Sequence, residues 1–136
     1  CTSHPSFIYD RHLRLESVQN ANDQARAAAA NICGKQKAYD AVPWFWSDQY
    51  HIKLQMTGLS DGYDQVVLRG STNFEEQLQS GFALFYLKGG IMIAADCIAR
   101  PKEFMVSKNL IKNKSAIDPL ALADESVEPV VFQSPQ

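Results

Sequence analysis

The sequence predicts an α+β fold, an antiparallel sheet of four to five strands covered by helices and preceded by one long helix. Three observations carry this: a helical period over residues 15–32, several short strand-like runs between residues 50 and 98, and a second helical run after Pro101. In the first run Leu15, Val18, Ala25, Ala28, Ala29 and Ile32 recur at steps near three and four, while Gln19, Asp23, Gln24 and Arg26 take other positions. The alanines from Ala27 to Ala30 favour helix, and Gly34 is placed to end it. Residues 1–14 mix Pro, Ser, His and aromatics without a period and read as an irregular lead-in.

The aromatic segment Pro43 to Tyr50 reads as a short loop and holds Trp44, Phe45 and Trp46, both tryptophans of the chain included. Residues 50–59 then alternate, with Ile52, Leu54 and Met56 expected on the buried side and His51, Lys53 and Gln55 on the other. Ser60-Asp61-Gly62 turns the chain, and strands are expected over residues 65–69, 81–88 and 91–98. Gly89-Gly90 is a two-residue hairpin signal. No link is long enough for a helical crossover except residues 70–80, so the strands should run as an antiparallel meander. Pro101 can open a helix in which Phe104, Met105, Lys108, Leu110 and Ile111 keep helical spacing to about Asn113. A short turn of helix over residues 119–123 and a loosely held tail should follow.

A chain of 136 residues supports one compact domain with one core. With 46% hydrophobic and 21% charged residues, disordered and collagen-like classes do not fit. The net charge of -2 offers no general basic field, which argues against nucleic acid as a partner. Neither a membrane span nor a signal peptide is visible, so a cytoplasmic location is expected. Charge is uneven along the chain: residues 100–114 hold five Lys or Arg and one Glu, and residues 115–136 hold four acids and no base. That reads as a solvated helix face beside an acidic tail, with an electrostatic docking patch as the alternative.

Cys1, Cys33 and Cys97 are odd in number and lack metal-ligand spacing, so they read as reduced thiols, with neither a metal site nor a catalytic nucleophile indicated. The sequence contains no glycine-rich phosphate motif and no nucleophile elbow. The start at Cys1 suggests a piece of something longer. The aromatic segment is the one unusual feature. It can be a core plug between elements, or a flat surface on which a ring-shaped ligand stacks beside Ser47, Asp48 and Gln49, and the residues alone leave both open.

Two stretches decide more. Arg14-Leu15-Glu16-Ser17-Val18-Gln19-Asn20-Ala21 and, downstream, Val42-Pro43-Trp44-Phe45-Trp46-Ser47-Asp48-Gln49-Tyr50 resemble the C-terminal part of FAD-dependent, NADH-dependent ferredoxin reductases, the putidaredoxin, rubredoxin and dioxygenase-component reductases. Gly58-Leu59, Gly62-Tyr63-Asp64, the Val67 to Gly70 run, Phe85-Tyr86-Leu87, and Arg100-Pro101 with Glu103-Phe104-Met105 extend the likeness over nearly the whole chain. His51 stands where many relatives carry an acid, and Ala99 where Asn is common.

The resemblance implies that residues 1–36 are the last part of the FAD-binding domain, and that residues 37–136 are the reductase C-terminal interface domain. It places Glu16, Ser17 and Val18 beside the flavin ring at a helix start and Trp46 over the flavin and nicotinamide region, as cofactor-binding residues. No catalytic residue and no metal ligand is assigned. The whole protein would pass electrons from NAD(P)H, with NADH as donor, through FAD to a [2Fe-2S] ferredoxin or rubredoxin-like acceptor serving an oxygenase system. This piece alone should be inactive and could form homo-oligomers. An acidic ferredoxin would suit the basic 100–114 segment, Lys108 and Lys112 included, with Arg11, Arg14 and Arg26 as further contacts. The competing reading is a non-enzymatic interaction or dimerisation module that docks through its aromatic loop.

Overall fold

A computed structural model of the chain describes residues 2–73, 80–129 and 132. The N-terminal part is a hairpin, β1 (Ser3–Ser6) and β2 (Arg11–Arg14), followed by helix α1 (Val18–Ile32). A five-stranded antiparallel sheet follows, built from β3 (Trp44–Gln49), β4 (Ile52–Gly58), β5 (Gln65–Gly70), β6 (Phe82–Lys88) and β7 (Ile91–Ile98). Helices α2 (Pro101–Lys112) and α3 (Pro119–Ala123) close the chain. The expected architecture is present, and several expectations within it change.

The lead-in is not irregular, because Ser3 to Ser6 pair in register with Arg11 to Arg14. The sheet is not a plain meander, because its order is β3-β4-β7-β6-β5. β7 enters between β4 and β6, so residues 59–64 must carry the chain from β4 past two strands to β5. At about 4.8 Å per strand step that gap is roughly 14 Å, within reach of six extended residues at about 3.3 Å each. The aromatic segment is an edge strand, paired from Trp44↔Thr57 to Gln49↔Ile52, and not a loop. Aromatic side chains suit a pleated, half-buried edge as well as a loop, and composition alone does not separate the two.

One row of side chains crosses all five strands: Trp44, Thr57, Ala95, Phe85 and Val67. With Ala83, Leu87, Met92 and Cys97 they form the face on which Phe104, Leu110 and Ile111 of α2 and Leu122 of α3 pack. This corrects the expectation for β4. Thr57 turns to the core at 1% exposure and donates its hydroxyl to the Pro43 carbonyl at 3.4 Å, whereas Ile52, Leu54 and Met56 lie half-buried on the other face. The alternation is there, but on the core side only Thr57 is buried, Gln55 is half-buried, and Lys53 and His51 are exposed toward the strand start. Gly58 has φ +76, and a Cβ there would meet the Ile93 carbonyl at 2.1 Å, so only glycine fits where β4 meets β7. Ala99 has φ +54, a left-handed conformation that Asn tolerates better, which accounts physically for the Asn expected there.

The tail is not loosely held as far as the described residues reach. Arg69 is buried on β5, where its guanidinium meets Glu103 at 3.1 Å and donates to the carbonyls of Leu122, Asp124 and Val127 at 3.3, 2.5 and 2.8 Å. Its carbon also sits 5.1 Å from the ring centre of Phe132, which is fully buried edge-on against Phe85. Arg100 ties Glu125 to the helix start at 2.5 Å. Cys1, most of the link at residues 74–79, and Pro135 lie outside the described residues.

Candidate functional site

Residues 14–18 with Asn20 and Ala21 build a shallow cleft of about 460 Å³ at the start of α1. The helix begins where Ser17, in extended conformation, accepts the Asn20 N–H on its hydroxyl at 3.1 Å. The N–H groups of Val18 and Gln19 precede any intrahelical acceptor, so this end of the helix, where Val18 lines the cleft, carries partial positive charge. Glu16 is exposed and paired with Arg14 at 2.5 Å. Val18 is 58% exposed beside it. Glu16, Ser17 and Val18 thus share one open, largely apolar cleft.

Trp46 does not line that cleft. It stands 44% exposed on the edge strand, its ring 5.4 Å from that of Trp44 at 33°. The link between the two places is Gln19, whose amide oxygen accepts the Trp44 N–H at 3.4 Å. Trp44 continues the aromatic series inward, edge-on to Phe104 at 5.9 Å. Above it the Lys108 ammonium lies 5.1 Å from the Trp44 ring centre and 5.6 Å from that of Phe104, a cation–π geometry worth about 0.5–1 kcal/mol at exposed sites.

The helix behind the cleft packs differently from its sequence pattern. Its buried residues are Gln19, Asn20 and Ala27. Asn20 donates to the Leu15 carbonyl at 2.9 Å and accepts from Gln24 at 2.8 Å and Tyr39 at 3.1 Å. Of the expected apolar set Leu15 is buried, just ahead of the helix, but Val18, Ala25, Ala28, Ala29 and Ile32 are exposed, Ile32 at 87%. The polar side chains won the inside because Asn20, Gln24 and Tyr39 can satisfy one another there.

The candidate basic residues divide by partner. Arg11 pairs with Asp61, Arg26 with Asp23, and Arg100 with Glu103 and Glu125. Among the described residues no carboxylate pairs with Lys102, Lys108 or Lys112, so α2 keeps the free cations. The two described cysteines also differ. Cys33 is exposed, while burial pushes the Cys97 thiol up to about 12. Sequence reasoning missed Arg69 as an anchor; its signal was an arginine at an inward position of an alternating strand, opposite Ala83.

The model of the family described as "Reductase C-terminal" matches residues 44–128. The chain belongs to this family. It is 48% identical over 127 residues to putidaredoxin reductase of Pseudomonas putida, covering 93% of this chain and 29% of that one. It is 42% identical to the 5,5'-dehydrodivanillate O-demethylase ferredoxin reductase subunit of a Sphingobium species, covering 91% and 29%. Among solved structures, the covalent putidaredoxin reductase–putidaredoxin complex superposes with a TM-score of 0.83 at 48% identity, over 93% of this chain and 29% of that chain. A ferredoxin reductase from Rhodopseudomonas palustris gives 0.83 at 37% identity, over 96% and 31%. The chain therefore spans under a third of the length of these relatives. Among the described residues no helix is long and apolar enough to cross a membrane.

Proposed function

We propose that this chain is the C-terminal part of a cytoplasmic flavoprotein that carries electrons from NAD(P)H, with NADH as donor, through FAD to a [2Fe-2S] ferredoxin or a rubredoxin-like acceptor of an oxygenase system. The observation that carries the reading is the cleft at the α1 start, where an apolar floor ends on free helix N–H donors. That donor set fits the polar edge of a flat ring that gains negative charge on reduction. The described residues offer no glycine-rich phosphate cradle, so the phosphates of such a cofactor would be held by residues upstream. When bound, FAD would supply the step between two-electron and one-electron chemistry.

The roles of the residues follow from their places. The Val18 and Gln19 N–H groups, fixed by the Ser17 cap, would hold negative charge at the ring edge. Glu16 would stand at the nicotinamide side, and Trp46 would shield the ring region from water on the side facing the acceptor. Residues 1–36 would close the FAD-binding domain, and residues 37–136 would form the interface domain. Lys102 and Lys112 would attract the acidic acceptor.

The test uses the longer protein that ends in this chain. FAD should copurify, seen by native mass spectrometry and visible absorbance, and NADH should reduce an added [2Fe-2S] ferredoxin. Lys102→Glu with Lys112→Glu should lower the rate at low salt and flatten its salt dependence. A protein that holds no flavin, or a charge-reversed variant with an unchanged salt slope, would overturn the corresponding part.

A further inference from the structure

Lys108 sits where two demands meet. Its ammonium lies over the rings of Trp44 and Phe104, and Trp44 in turn packs on the exposed Trp46. It also belongs to the cationic face of α2, one helical turn before the exposed Lys112, and among the described residues no carboxylate competes for it. A carboxylate is a stronger partner for an ammonium than a ring face, and one ammonium cannot serve both fully.

We propose that Lys108 is a positioning residue that couples docking of an acidic protein on α2 to the arrangement of the Trp44–Trp46 pair. With no partner, the cation holds Trp44 against Phe104, and Trp44 sets the tilt of Trp46. When a carboxylate of the partner takes the ammonium, Trp44 loses that hold and the indole pair relaxes. The charge that recruits the acceptor is then the same charge that sets the ring standing at the exposed edge. This deepens the proposed function, since it gives Trp46 a response to the partner, but its physical content lies wholly within these residues.

The chain has its own buried core, and both of its tryptophans are in this pair, so indole signals report the pair alone. The experiment follows near-UV circular dichroism and tryptophan emission of the 136-residue chain without flavin, with poly-L-glutamate as the acidic probe at low salt. Binding is followed in parallel by calorimetry. Lys108→Met should lower the population ratio of the packed indole arrangement roughly two- to fivefold. Its spectrum should approach that of the wild-type chain saturated with poly-L-glutamate, and it should respond no further to the probe. Lys108→Arg should restore both the starting spectrum and the response. Lys112→Met removes the same charge away from the rings, so it should weaken binding yet leave the saturated spectral change intact.

The proposal is overturned if Lys108→Met gives the wild-type spectrum, if poly-L-glutamate binds the wild-type chain without moving the indole signal, or if it does not bind at low salt. None of these outcomes bears on whether the longer protein holds flavin, so the two readings fail separately.

Discussion

Helix α1 buries Gln19, Asn20 and Ala27, whereas helix α2 buries Glu103, Phe104, Ser107, Leu110 and Ile111. α2 lies on the sheet face that holds Phe85, Leu87 and Ala95, while α1 reaches the sheet through the Gln19 bond to the Trp44 backbone. The hairpin before α1 is joined by the Tyr9 hydroxyl bridging Ile93 and Leu59, by the Arg11 pair with Asp61, and by one apolar contact, Ile8 against the core. One part of the molecule is held mainly by area, the other mainly by a few directional bonds with Ile8 as its apolar contact to the core. Burial by area resists small changes, and single bonds do not. If α1 belongs to the proposed FAD-binding domain, the apolar residues it leaves open would meet that domain.

The sharpest way to break the well-packed region is at the buried Arg69–Glu103 pair. Arg69→Met keeps bulk but leaves Glu103, among the described residues, with Arg100 at 3.5 Å as its remaining cation and frees three carbonyls of the C-terminal segment. Removing one partner of a buried ion pair costs about 3–5 kcal/mol. Urea unfolding should show that loss as a lower midpoint, with Phe132 released from Phe85. A loss of unfolding free energy below about 1 kcal/mol would mean that α3 and the tail hold without the arginine.

The directional attachments should yield to pH. Burial pushes the Tyr9 phenol up to about 12, above its ordinary value near 10. A folded-state value raised in this way stabilises the fold fully below pH 10, and that stability is lost as pH rises toward 12. Tyr9→Phe leaves the Leu59 N–H unpaired, should cost about 1–3 kcal/mol at neutral pH, and should flatten the alkaline decline. The decline should not vanish, because burial and the Asp96 hydrogen bond also push Tyr86 up to about 12. An identical alkaline profile in Tyr9→Phe would show that the hairpin is anchored by other contacts.

The same contrast explains which parts were legible in the sequence. α2, β6 and β7 bury residues that look buried, so period and turn signals located them: Gly89-Gly90 does join β6 to β7, and Pro101 does open α2. α1 was found for its length and alanines, yet its inward face was misjudged. Asn20 and Gln19 go inside only because Tyr39 and the Trp44 backbone, distant in sequence, complete their hydrogen bonds. β4 failed in the same way, since the choice between Thr57 and Met56 depends on what α2 and β3 place above the strand. The position of β7 between β4 and β6 has no local signal. For the candidate site, the family likeness pointed to Glu16, Ser17 and Val18 at a helix start and to Trp46, whereas the Ser17 cap, the exposure of Trp46 and Lys108 over Trp44 needed the fold.

The smallest effect on stability gives the cleanest test of what α1 belongs to. Ala28 is exposed on the open stripe of α1, so Ala28→Glu should change the stability of the 136-residue chain by no more than about 0.5 kcal/mol. In the longer protein the same glutamate would enter the interface that the proposed FAD-binding domain lays on this stripe, where an unpaired charge is costly to bury. Flavin retention after gel filtration should then fall although the isolated chain is unaffected. If the chain itself loses more than about 1 kcal/mol, the stripe packs within this domain. If neither protein changes, α1 faces water in both, and the division after residue 36 would have to be withdrawn.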